Sequence, residues 1–334
     1  MLLNILLISL IQLFFIFILN KFAYSLNLLD YPSIRKKHLD ATPFIGGIAI
    51  TFTYCFIIFI NQTNIYNLNI IILCSLLLSL IGLIDDKFDI NPISKLFLQS
   101  LPVYILINNN IYLQDIGYYE NFGFFELGAY GKYFTFLSCL LIMNAFNYSD
   151  GVDGLLSTLF LNIFFSFIVL CILFNEKEMI EYFIYLIIPI AIFLLFNFST
   201  FNLPKVFLGD SGSLALGFIT GFTMIVLYNE NKIHASILVW PVAFIVYEFL
   251  STNLLRFYKK KNLFQSGTDH IHYQISKKFK LKTLGINFYL NLLNLFITVV
   301  GFTIYFIFGS FYSLMCFVFI FLIYLGVKYK LILN

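Results

Sequence analysis

The residues with chemistry to offer are concentrated in Asn144-Ala145-Phe146-Asn147-Tyr148-Ser149-Asp150-Gly151-Val152-Asp153-Gly154-Leu155, where one apolar run ends and the next begins. Asn144, Asn147, Asp150 and Asp153 recur at every third position. A regular α-helix would spread them over half its circumference, whereas a 3₁₀ turn or a helix end would gather them. Gly151 and Gly154 let the backbone leave helical geometry and let a ligand approach the main chain closely. The pattern suits a site for a polar ligand and a cation. A plainer reading is that Asp150 and Asp153 cap the following helix, which leaves both asparagines and one of the two acids without a role.

Three further stretches carry related chemistry. Asp85-Asp86-Lys87-Phe88-Asp89 ends an apolar run, where carboxylates oppose the helix dipole unless a cation reverses that penalty. Lys87 and Lys95 are the neighbouring basic residues. Asp210, in Gly209-Asp210-Ser211-Gly212-Ser213, reads either as a helix cap or as part of a phosphate-binding helix start. His270-Ile271-His272 lies among Arg256, Lys259, Lys260, Lys261, Lys277, Lys278, Lys280 and Lys282. That loop could contact phosphate or anionic headgroups, or simply fix topology. Hard oxygen donors favour Mg²⁺ or Mn²⁺ over zinc, usually shared with substrate phosphates. The chemistry expected is phosphoryl transfer at the bilayer edge, which needs mainly alignment and charge neutralisation.

The elements that position these residues must span a membrane. Of 334 residues, 60% are hydrophobic and 11% charged, too apolar for a water-soluble fold. The expectation is an all-α polytopic membrane protein with about ten or eleven transmembrane helices, forming one integral-membrane domain over residues 1–334. Asn108 to Gly131 alternates as a small hairpin does, and a single span is expected from Ile233 to Leu255. Counting spans alternately puts nearly all Lys and Arg, and every motif loop, on one face, which the positive-inside bias makes cytoplasmic. The net charge of +3 and the absence of a basic aromatic stripe exclude nucleic acid as a partner. The cysteines fall in apolar runs and read as small core residues. His234 reads as an outer-face interfacial residue without a partner.

These loops resemble the motifs of the polyprenyl-phosphate N-acetylhexosamine-1-phosphate transferases (the WecA/MraY type), in family order from about Arg35 to Tyr273. Asn144 to Leu155 matches the family's NxxNxxDGxDGL signature. Asp85 to Asp89 resembles its acidic signature, Pro204 to Ser213 its VFMGDxGS segment, and His270-Ile271-His272 its histidine motif. Lys36, His38 and Gly46-Gly47 resemble its first cytoplasmic loop.

The resemblance implies transfer of a sugar phosphate from a UDP-N-acetylhexosamine, with GlcNAc favoured, to undecaprenyl phosphate, releasing UMP with Mg²⁺ or Mn²⁺. It implies the first step of a surface glycan, carried out in the bacterial inner membrane on its cytoplasmic face; a homodimer is left open. Asp210, Asp150 and Asn147 would hold the metal. Asp85, Asp86 and His270 would be catalytic, and Asn147, Asp153, Lys36, His38, Lys95 and His272 would contact substrate. The departures are Tyr273-Gln274 after His272, Thr268 or Asp269 in place of an upstream Arg, and Glu248 where an Asp is common. The absence of a third histidine argues against the peptidoglycan branch, which uses UDP-MurNAc-pentapeptide. A transporter is the alternative of another class, disfavoured because the acids lie at span ends on one side rather than at the midplane between repeats.

Overall fold

The computed structural model describes residues 2–32, 40–60, 66–120, 122–262 and 269–333. Lys36, His38 and Thr268 lie outside the described residues. The helices are α1 (Leu2–Ser25), α2 (Gly46–Ile60), α3 (Tyr66–Phe88), α4 (Pro92–Asn108), α5 (Gly131–Ser149), α6 (Leu155–Leu173), α7 (Lys177–Asn197), α8 (Gly209–Asn229), α9 (Ala235–Leu238), α10 (Ala243–Tyr258), α11 (Ile271–Phe279), α12 (Thr283–Phe308) and α13 (Ser310–Leu333). Among the described residues α1, α3, α6, α7, α8, α12 and α13 are the seven long and apolar enough to cross a membrane. The expected ten or eleven spans are not reached on that measure. The helices α2, α4 and α10 are too short for it, and α5 carries Asn144 and Asn147. The all-α polytopic membrane architecture stands.

Among the described residues sheet is confined to small antiparallel pairs. β1 (Leu29–Asp30) pairs with β2 (Thr42–Pro43), and β3 (Asp115–Tyr119) pairs with β4 (Gly123–Glu126) as the expected hairpin. That hairpin caps another element: Glu120 accepts hydrogen bonds from the Ser310 and Phe311 amides, both 3.1 Å, at the start of α13.

At the centre stands α8, whose residues are almost all buried between α2, α3 and α5. Small residues bring the backbones together. A Cβ on Gly47 would stand 2.0 Å from the Gly212 amide nitrogen, and one on Gly82 would stand 2.4 Å from the Ser211 nitrogen. The Gly46 and Gly47 amides donate to the Phe207 and Leu208 carbonyls, each 2.9 Å, tying the start of α2 to the segment leading into α8.

The span expected from Ile233 to Leu255 is broken. α9 stops at Leu238 and α10 begins at Ala243, with Trp240-Pro241 between them, because proline cannot donate the helical hydrogen bond. Side chains of α12 bond the carbonyls at the break: Asn294 donates to Pro241 O at 3.1 Å and Thr298 to Trp240 O at 3.3 Å. His234 also departs from expectation. Its Nδ1 accepts from the Ser236 amide at 3.1 Å, its Nε2 lies 3.0 Å from Tyr118 O, and its ring packs against Tyr119 and Tyr305. The cysteines are free and buried or half-buried, as expected.

Candidate active site

The end of α3, the start of α4, the end of α5 and the start of α8 meet at one end of the bundle. Asn91 and Pro92 begin α4 sharply: the Asn91 side chain accepts from the Ile93 amide at 3.0 Å, and proline suits the first helical position. This start aims Lys95 inward. Its ammonium stands 2.7 Å from Asp85 Oδ2 and also pairs with Asp210 Oδ2. Asp210 Oδ1 accepts from Asn147 Nδ2 at 2.8 Å, and the same amide donates to Ser213 Oγ at 2.9 Å. Residues distant in the chain therefore form one continuous polar cluster.

Asp86 has a different task from its neighbour. Its carboxylate accepts from the Asp210 amide at 2.9 and 3.1 Å and from the Ser211 amide at 3.4 Å. It caps α8 from another helix, at the positive end of the dipole. Gly209, with φ +73°, makes room for it, since a Cβ there would lie 2.5 Å from Asp86 Oδ2. Asp210 is therefore not the cap of α8, and its side chain is available to Lys95 and Asn147. The capping reading of Asp150 and Asp153 fails as well: Gly154, at φ 74°, precedes α6, and among the described residues no side chain caps that helix.

Asp150 lies in the turn after α5. Burial, with Asp210 and then Asp153 adding repulsion, pushes its carboxyl up to about 8. Asp153 turns to Lys205 at 2.6 Å, while its backbone oxygen accepts from Asn287 at 2.8 Å. Asn144 points elsewhere, donating to Gln99 Oε1 at 3.0 Å and holding α5 to α4. Asp89 is exposed, outside the cluster.

The histidine segment rests on the central turn. The rings of His270 and His272 are parallel within 2°, with centroids 5.4 Å apart, and Tyr148 meets His270 edge-on. Gly151 explains itself here: a Cβ on it would stand 2.3 Å from His272 Nε2. His272 is driven down to about 3 by burial first and by neighbouring His270 second, so at neutral pH it offers a hydrogen bond rather than a charge.

Among the described residues no group of three or more His, Cys, Asp and Glu side chains forms a ready metal cage. The donor types do fit a hard cation. Asp210, Asp150 and Asn147 offer carboxylate and amide oxygens of the kind that Mg²⁺ takes, singly or in pairs, while substrate phosphates and water complete its shell.

A family model described as glycosyl transferase family 4 matches residues 68–228, the segment that carries Asp85, Lys95, Asn147, Asp150 and Asp210. The undecaprenyl-phosphate alpha-N-acetylglucosaminyl 1-phosphate transferase of Thermotoga maritima is 31% identical over 317 residues, covering 94% of each chain. The chain belongs to glycosyl transferase family 4. Relatives of the same name from Yersinia pestis and Escherichia coli K12 are each 29% identical, over 79% of this chain and 73% of their own.

Several residues of this family 4 member's polar end escaped sequence reasoning. Lys205 sits inside the Pro204–Ser213 motif and needed only to be read as a charge rather than as spacing. Gln99 and Asn287 are polar residues inside apolar helices, which is itself the signal. Lys328, a charge beside the last apolar run, is 1% exposed and bonded to Glu248 at 2.7 Å.

Proposed function

We propose that this protein transfers N-acetylglucosamine-1-phosphate from UDP-GlcNAc to undecaprenyl phosphate and releases UMP. The observation that carries the reading is Lys95 bridging Asp85 and Asp210 beside Asn147: acids and one cation from separate helices, a combination that suits a diphosphate and a divalent cation. The names of the relatives supply undecaprenyl phosphate and the N-acetylglucosamine 1-phosphate group; the UDP donor is what the motif resemblance implies.

An oxygen of the lipid phosphate bonds to the sugar-bearing phosphorus of the donor. The bond from that phosphorus to the bridging oxygen breaks, and the bridging oxygen leaves with UMP. A phosphate monoester with its second pKa near ~6 is already largely ionised at neutral pH, so Asp85 aligns the acceptor and need not remove a proton from it. Lys95 is a point charge suited to the diphosphate oxygens. Asn147 and Asp153, with its partner Lys205, face the nucleotide, and His270 and His272 close the site over the Asp150–Gly151 turn. Mg²⁺ or Mn²⁺, when held by Asp210, Asp150 and Asn147, supplies neutralisation of the diphosphate charge. For Lys36 and His38, outside the described residues, the substrate role rests on the motif resemblance alone.

The excess of Lys and Arg at this end of the bundle supports a cytoplasmic-facing site in the bacterial inner membrane, and the product suits the first step of a surface glycan. The test uses membranes containing the protein, undecaprenyl phosphate and a panel of labelled donors. UMP should appear in equal amount to lipid-linked sugar with UDP-GlcNAc, stop with EDTA and resume with Mg²⁺. Turnover of UDP-MurNAc-pentapeptide alone would favour the peptidoglycan reaction. Passage of intact nucleotide sugar without cleavage would favour a transporter.

A further inference from the structure

A second polar cluster, buried behind the histidines, has no part in the chemistry above. Glu248 of α10 and Lys328 of α13 are 3% and 1% exposed and 2.7 Å apart. Glu248 Oε2 accepts from Tyr324 OH at 2.7 Å, and Lys328 donates to Thr252 Oγ1 at 2.5 Å. Glu248 Oε1 accepts from the Ile271 amide at 2.9 Å and stands 3.6 Å from His270 Nδ1, a buried nitrogen that faces it without a closer hydrogen-bond partner among the described residues. Arg256 and Asp269 pair at 3.3 Å at the edge of this cluster.

A buried ion pair is poor value for stability alone, since well-packed apolar residues often do as well. This one is attached to the segment that carries the histidines. The Ile271 amide lies at the start of α11, where the helix leaves its amides unsatisfied, and it is a carboxylate from another helix that receives it. The pair thus fixes the position of a backbone atom between the two imidazoles, and sets a negative charge behind one of them.

We infer that the Lys328–Glu248 pair is a positioning device for the histidine segment: Lys328 holds Glu248, and Glu248 anchors the Ile271 amide and faces His270, so that His272 is held against Gly151 and His270 against Tyr148. Lys328 and Glu248 touch no substrate. They act through His270 and His272. Part of the inference, the consequence for turnover, rests on the transferase reading; the anchoring of the segment does not.

The test reads imidazole modification by diethyl pyrocarbonate in the full-length protein, residue by residue by mass spectrometry, together with turnover. Lys328→Met should raise the reactivity of His270 and His272 about tenfold and lower kcat about tenfold, the low end of what losing an orienting partner costs. His234, at the opposite end, should keep its wild-type reactivity, and Lys328→Arg should restore both readings. Equal increases at all three histidines would mean general loosening and would overturn the inference.

Lys328→Met leaves a buried carboxylate unpaired and can fail to fold. Two neutral pairs keep the test open. Lys328→Met with Glu248→Gln keeps an oxygen for the Ile271 amide and should keep protected histidines and near wild-type kcat. Lys328→Met with Glu248→Leu removes that oxygen and should expose both histidines and lower kcat about tenfold with KM for UDP-GlcNAc nearly unchanged. Equal protection and equal kcat in the two double variants would refute the inference. The protection measurement needs no substrate, so its outcome is separate from whether UDP-GlcNAc is the donor.

Discussion

Asp150 is pressed from three sides: by desolvation, by Asp210 and by Asp153. An unfolded chain gives up this proton near 3.8, whereas the folded protein keeps it to about 8. Between those values the unfolded state binds fewer protons, so stability falls as pH rises. In EDTA the thermal midpoint should therefore decline from about pH 4 to about pH 8, and Asp150→Asn should make that slope shallower. Mg²⁺ should counter the decline at the alkaline end, where the carboxylate is charged and can bind it. The same slope in Asp150→Asn would show that other groups govern it. Asp85 and Asp86 make a related point about neighbours: one carboxylate meets Lys95 while the next caps a helix. Replacing Asp86 thus disturbs the start of α8 before it disturbs any chemistry.

α8 holds the site because its small residues allow close approach on several sides. Gly47→Ala would force a Cβ to within 2.0 Å of the Gly212 amide nitrogen, whereas at Gly221 the nearest atom to an added Cβ is 3.7 Å away. Gly47→Ala should cost about 1–3 kcal/mol, as overpacking does, while Gly221→Ala should be neutral or slightly stabilising because it improves helix propensity. Thermal or denaturant unfolding of the two variants in the same detergent checks this, and equal midpoints would contradict it. The caps at this end of α8 could not be read locally. Asp210 and Asp153 occupy positions where capping is the ordinary expectation, but α8 is capped by Asp86, 124 residues earlier in the chain, and α6 follows Gly154 without a side-chain cap. Only packing of α3 against α8 reveals that exchange. The break before α10 was closer to hand, since Pro241 sits in the middle of the apolar run and proline is a reason to divide it.

Across the whole molecule, apolar composition and charge placement were enough for an all-α membrane bundle with its motif loops at one end. Asp85, Lys95, Asn147, Asp150 and Asp210 were identifiable because charged and amide groups are scarce in such a chain. The span count was less legible, because the short helices α2, α4 and α10 and the polar α5 do not separate cleanly from loops by hydropathy. The Glu248–Lys328 pair was hidden for a different reason: each residue has an ordinary explanation alone, and the pairing exists only after α13 packs on α10.

The account depends on Asp85 and Asp210 acting as one unit through Lys95, and a double-mutant cycle on turnover measures that directly. Asp85→Asn, Asp210→Asn and their combination should be compared with wild type in UMP release from UDP-GlcNAc with undecaprenyl phosphate. If the carboxylates act together, each single change should remove most of the activity, and the double should fall less than about tenfold below the worse single. Losses that simply multiply would mean two independent residues, and the shared diphosphate site would be wrong.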